Sequence, residues 1–183
     1  MKELSLNILD IAENSTKAKA TLVEISVTEK GDTLTLTIGD NGTGMTDEIL
    51  ESVKNPFCTT RTTRKVGMGI PLLQCAAEQT GGYVEIASRH FSISPDDHGT
   101  TVTAVFYKNH IDFTPLGDAA SSVVTLIQGH PSVDFVYRHT TDAGEVLLDT
   151  RELREVLENV PLDTFEVLIW IKENLAEQYS VLQ

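Results

Sequence analysis

The chain has 183 residues, 40% of them hydrophobic, with 14 basic and 27 acidic side chains and a net charge of −13. That length suits one domain or a domain with an appendage, and the acidity argues against a nucleic-acid-binding surface, which needs a basic footprint. No apolar run approaches the roughly 20 residues of a membrane span, no signal-peptide pattern opens the chain, and Cys58 and Cys75 stand apart without metal-ligand spacing. The expectation is a soluble cytoplasmic protein with reduced thiols.

Residues 3–18 place Leu4, Ile8, Ile11 and Ala12 at near-helical intervals, which predicts a helix. Leu22–Thr28 and Thr33–Gly39 alternate and are rich in Val, Ile and Thr. Lys30-Gly31-Asp32 punctuates them, so a hairpin is expected. Thr46, followed by Asp47 and Glu48, reads as the cap of a short helix to about Lys54. The polar stretch 55–66 reads as a loop. Gly69–Thr80 has a helical pattern that stops at Gly81-Gly82. Tyr83–Ser88 and Thr100–Tyr107 read as strands joined by the polar residues 92–99.

Beyond residue 109, Asp118–Gln128 reads as a helix. Val133–His139 and Glu145–Leu148 read as a hairpin around Thr141-Asp142-Ala143-Gly144. Asp149 is a candidate cap for a helix through Glu158, and Asp163 with Glu166 suggests a capping box for a helix over 164–178. Residues 1–109 hold 10 basic and 14 acidic groups, a net −4. Residues 110–183 hold 4 and 13, a net −9, so an anionic ligand belongs with the first segment.

Four segments stand out in that first part: Asp10-Ile11-Ala12-Glu13-Asn14, Asp40-Asn41-Gly42-Thr43-Gly44-Met45, Lys65-Val66-Gly67-Met68-Gly69-Ile70, and His98-Gly99-Thr100-Thr101-Val102. In this order they resemble the N, G1, G2 and G3 boxes of the GHKL ATP-binding superfamily of gyrase, heat-shock chaperone, histidine kinase and mismatch-repair ATPases. The run Pro56-Phe57-Cys58-Thr59-Thr60-Arg61 ahead of Gly67-Met68-Gly69 is similar to the short ATP lids of histidine kinases. The chain carries no Walker A loop. The resemblance covers residues 3–107. It implies an α+β two-layer sandwich of the Bergerat type, a mixed sheet with helices on one face, followed by a small C-terminal α/β appendage over 110–183.

The resemblance also assigns roles. Asn14 would coordinate Mg²⁺ on the phosphates of ATP, a use of hard oxygen donors, where otherwise it is a solvated helix residue. Asp10, one turn earlier on the same face, would be the general base. Aspartate is one methylene shorter than the glutamate most members carry, and Glu13 is an alternate on another face. Lys17 would touch the terminal phosphate or be merely exposed. Asp40, an acceptor-only carboxylate, would read the adenine amine, with Gly42, Gly44 and Met45 shaping the turn beside it and Thr100 bonding the base or a bridging water. Thr60 and Arg61 would close over the phosphates, while Gly67, Met68 and Gly69 would present helix N-terminal N–H groups to them. Cys58 reads as an inert small side chain, and His98, beside the last box, as a solvated loop histidine.

The chain begins almost on its first box, with no phosphoacceptor hairpin ahead of it and no long transducer region after the last one. The expectation is therefore not a complete sensor kinase. It is a freestanding Mg-ATP-dependent ATPase or protein-kinase-like module acting on a separate partner. The alternative is a non-catalytic, nucleotide-gated binding module. The acidic segment and Trp170 are candidate partner contacts. The partner and the oligomeric state are not legible.

Overall fold

The computed structural model describes residues 3–54 and 68–182. In chain order the elements are α1 (Leu4–Lys17), β1 (Leu22–Lys30), β2 (Thr33–Asp40), α2 (Asp47–Lys54), α3 (Gly69–Gln79), β3 (Tyr83–Arg89), β4 (Gly99–Tyr107), α4 (Ala119–Gly129), β5 (Asp134–Thr141), β6 (Gly144–Asp149), α5 (Thr150–Leu157) and α6 (Phe165–Val181). The six strands form one mixed sheet in the order β3-β4-β2-β1-β5-β6. Neighbours run antiparallel except β1 and β5, which are parallel.

Alternation along the strands decides which face is buried. Val23, Ile25 and Val27 of β1 are fully covered, while Glu24 and Thr28 face outward. Register carries the same face across the sheet: Ile25 lies opposite Ile38, Ile38 opposite Val102, and Ile25 beside Tyr137. Against it packs an apolar layer that includes Leu4 and Ile8 of α1, Leu73 of α3, Val123 and Leu126 of α4, and Ile171 and Leu175 of α6. Burial of these side chains is the main stabilising term, at about 1.5–3 kcal/mol for each large aliphatic group. The result is an α+β fold, as the resemblance implied.

Residues 110–183 extend this same sheet. The β5–β6 hairpin joins the free side of β1, so apolar side chains of the C-terminal segment and of the first hundred residues meet in one core. Helix α4 is capped by Asp118, which accepts a 2.8 Å bond from the Ser121 N–H, and α5 by Asp149, which accepts from the Arg151 N–H at 2.9 Å. The expected capping box at Asp163 is not formed. Thr164 occupies the N-cap of α6 and makes no side-chain cap bond. The helix is held instead by its buried stripe Val167, Ile171 and Leu175. It runs three residues further than its sequence pattern suggests, to Val181, because Tyr179 and Gln178 dock on the hairpin. The Gln178 carboxamide pairs with both the N–H and the carbonyl of Leu147, at 2.8 and 3.0 Å, satisfying backbone on the edge strand. Trp170 is half-exposed.

Among the described residues no helix is long and apolar enough to cross a membrane. Phe57, Cys58, Thr60, Arg61, Arg64, Lys65 and Gly67 lie outside the described residues.

Candidate functional site

Beta pairing sets the floor of the site. Ser88 of β3 lies opposite Thr100 of β4, and Thr100 lies opposite Asp40 of β2, so three polar side chains form a row at one end of the otherwise apolar sheet face. Helix α1 crosses that end and brings Asn14 and Ser15 over the row. The outcome is a cavity of about 270 Å³, near the small end of the ~300–1,000 Å³ usual for ligand clefts. Its polar lining comes from Asn14, Ser15, Asp40 and Thr100. Ile11, Ile38, Ile49, Val53, Ile70 and Val102 make the walls apolar, and Gly44 and Met45 form one rim.

Asp40 is held at both oxygens. Oδ1 accepts from the Gly42 N–H at 2.9 Å and from the Thr100 N–H at 3.3 Å, and Oδ2 accepts from the Ser15 hydroxyl at 2.6 Å. These three donors fix the plane of the carboxylate. With two bonds on Oδ1 and one on Oδ2, Oδ2 keeps a lone pair for an N–H donor in the cavity.

The turn after Asp40 depends on its glycines. Gly44 has φ +67°, and a Cβ there would stand 1.9 Å from the Arg89 carbonyl oxygen. The Cβ of a residue replacing Gly99, at φ +138°, would meet the Asp40 carbonyl at the same distance. Asn41 ties the turn to the start of β1: its Oδ1 accepts from the N–H groups of Thr21 and Leu22, both at 2.9 Å.

The N-terminus of α3 abuts α1. A Cβ on Gly69 would sit 3.0 Å from that of Asp10, a tight contact, and 3.8 Å from the Asn14 amide nitrogen, so the two helices approach closely here. The positive end of the α3 dipole, with no side-chain cap on it, therefore lies next to Asn14. Five of the sequence-predicted site residues (Asn14, Asp40, Gly44, Met45 and Thr100) line one cavity. Gly42 and Gly69 border it by the contacts just given. Asp10, Lys17 and Met68 are exposed and do not line it.

Glu13 is engaged elsewhere. Its Oε1 lies 2.9 Å from His130 Nε2 at the end of α4.

Two serines matter here that sequence reasoning passed over, and one histidine that it read differently. Ser15 is 4% exposed and donates to Asp40. Its position directly after Asn14, on the buried side of α1, was the available signal. Ser88 sits 2.8 Å from Thr100 Oγ1 and accepts the Met45 N–H at 2.8 Å. That contact depends on strand register, which no local motif carries. His98 is not simply solvated: Nδ1 lies 2.5 Å from the Gly42 carbonyl oxygen, and so carries its proton there.

Comparison with known proteins adds the following. Residues 1–110 match the family described as histidine kinase-, DNA gyrase B- and HSP90-like ATPase. Among solved structures, the chain superposes on the N-terminal domain of a DNA repair protein with a TM-score of 0.55 at 16% identity, covering 81% of this chain and 53% of that one. It superposes on the Aquifex aeolicus MutL ATPase domain complexed with ADP with a TM-score of 0.53 at 18% identity, covering 86% of this chain and 70% of that one. At such identities the likeness is one of fold, and the chain spans about half the length of the first of these structures. No curated protein sequence matches it.

Proposed function

The chain belongs to the histidine kinase-, DNA gyrase B- and HSP90-like ATPase family, and from that membership we propose that it binds Mg-ATP in the cavity over Asp40 and works as an ATPase or protein-kinase-like module on a separate protein. The observation that carries this reading is the convergence of Asn14, Asp40 and Thr100 on one mostly apolar cavity, with the N-terminus of α3 beside it.

Adenine fits the chemistry of that cavity. Its flat apolar faces suit the aliphatic walls, and its exocyclic amine is a donor for the fixed Asp40 carboxylate. The triphosphate then extends toward Asn14 and the uncapped N-terminus of α3.

A magnesium ion fits the donor set. Asn14 offers a hard carboxamide oxygen, and among the described residues no group of three or more His, Cys, Asp or Glu could hold an ion alone. Such an ion would take its remaining ligands from phosphate oxygens and water. When bound it neutralises phosphate charge. In this reading Asp10, one turn before Asn14 and beside Gly69, accepts the proton of an attacking water or hydroxyl.

A second reading, a nucleotide-gated binding module without turnover, draws on the exposure of Asp10 and its place outside the cavity lining. Titration calorimetry with ATP at millimolar Mg²⁺ tests the shared premise, and steady-state phosphate release separates the two. Binding with Asp10-dependent turnover supports the catalytic reading. Binding with no turnover, with or without a protein partner, supports the gated one. The acidic segment over 110–183, with half-exposed Trp170, is the surface we assign to that partner.

A further inference from the structure

We propose that Ser88 is a specificity-positioning residue: through Thr100 it makes the cavity read the N1 edge of adenine. The inference rests on the assignment of the cavity to ATP. Ser88 does not line the cavity. It stands behind Thr100 in the polar row, paired across β3 and β4.

The argument is an accounting of protons. The Met45 N–H points at Ser88 Oγ from 2.8 Å, so that oxygen is an acceptor there. Ser88 has one proton of its own and two acceptors within reach, the Gly99 carbonyl oxygen at 3.0 Å and Thr100 Oγ1 at 2.8 Å. If the proton goes to Gly99, Thr100 must donate back to Ser88, and only lone pairs of Thr100 face the cavity. If it goes to Thr100, the Thr100 proton is released toward the cavity. The second arrangement is a directed chain, from the Met45 N–H through Ser88 to Thr100 to the ligand, and each donor polarises the next.

Asp40 chooses between the two. Its carboxylate can only accept, so the group facing it must be a donor. In adenine that donor is the exocyclic amine, and the neighbouring ring atom N1 is an acceptor. N1 therefore needs a donor, and the Thr100 hydroxyl donates straight to N1 only in the directed chain. Guanine and hypoxanthine present the reverse pair, an oxygen and an N1–H, which opposes Asp40. The Ser88 contact also holds the Thr100 side chain in the rotamer that aims its hydroxyl at both neighbours.

The probes are ATP and 1-deaza-ATP, which keeps the amine but has a carbon at N1. A net hydrogen bond corresponds to about a tenfold preference, so wild-type protein is expected to favour ATP over 1-deaza-ATP by ~10-fold. Ser88→Ala should bring that ratio below about threefold, Ser88→Thr should restore it, and Thr100→Val should abolish it. In the Thr100→Val background, Ser88→Ala should leave the ratio unmoved. Ser88→Ala that weakens both nucleotides equally, with the wild-type ratio kept, means a structural role only and overturns the inference. A wild-type ratio near one overturns it as well. Wild-type protein that binds neither nucleotide overturns instead the assignment of the cavity on which the inference rests.

Discussion

Ser15 and Asp40 are 25 residues apart, and the Ser15 hydroxyl donates a 2.6 Å bond to Asp40 Oδ2. This bond couples the first helix to the end of the second strand, so the part of the site that would meet phosphate and the part that would meet the base move as one body. Replacing Asp40 with alanine removes the acceptor for the adenine amine, a charged hydrogen bond of about 1.5–3 kcal/mol. ATP affinity should fall at least about tenfold. Ser15→Ala keeps the carboxylate and frees its plane, so a smaller loss of about three- to tenfold is expected. Calorimetric titration of both variants checks the order, and a Ser15→Ala loss exceeding that of Asp40→Ala contradicts it.

Asp10→Asn keeps shape and removes the base. Nucleotide affinity should stay within about twofold of wild type while any turnover falls by about 10²-fold or more. Equal turnover in the two proteins would take Asp10 out of the reaction. The parallel measurement on Glu13→Gln is expected to leave turnover intact, because Glu13 is paired with His130 on the far side of α1.

Gly44→Ala tests the backbone of the turn. Its φ of +67° is strained for any Cβ, and the added carbon would overlap the Arg89 carbonyl. We expect a loss of stability of about 2 kcal/mol or more, read as a lowered thermal midpoint. Ala at Gly31, at φ +54° with open space around it, carries only the conformational cost and should be milder.

The readable part of this protein is the part that is local. Strand alternation, the Gly31-Asp32 turn, and the Asp118 and Asp149 caps lie within a few residues of one another, and their physics shows in a short window. The four motifs were equally readable, since the spacing of Asp10 and Asn14 and the glycines around Asp40 and Gly69 are local constraints. What stayed hidden depends on register and on joints between distant segments. Nothing near Val133–His139 says that it pairs in parallel with β1. Nothing near Ser88 says that its hydroxyl lies against Thr100. The expected cap at Asp163 failed because tertiary burial of Val167, Ile171 and Leu175 places α6 without it.

The opposite end of β1 carries a buried proton chain with consequences for pH. Tyr137 donates to Tyr179 at 2.6 Å, Tyr179 donates to His139 Nδ1 at 2.9 Å, and His139 Nε2–H donates to Glu29 at 3.1 Å. Lys108 pairs with the other Glu29 oxygen at 2.8 Å. Burial pushes the His139 imidazole below its ordinary value, more than Glu29 raises it. Burial acts to raise the Glu29 carboxyl, but Lys108 and His139 outweigh it, and the net shift is downward. The signs follow from linkage. Between the depressed folded value of His139 and the unfolded value near ~6.5, the unfolded chain binds more protons. The His139 contribution is therefore complete above about pH 6.5 and is lost as pH falls toward the folded value. Glu29 holds its contribution until pH drops below the ordinary glutamate range. A proton on Nδ1 also turns the acceptor of Tyr179 into a donor, which leaves the Tyr179 hydroxyl proton without its acceptor and loosens the end of α6 from the hairpin. Thermal midpoints measured from pH 7.5 to 5 should fall by several degrees in the wild-type protein and distinctly less in His139→Gln, which has no group to titrate in that range. Amide exchange near Tyr179 should quicken over the same interval in the wild type alone. Parallel pH profiles for the two proteins would show that His139 is not the group responsible.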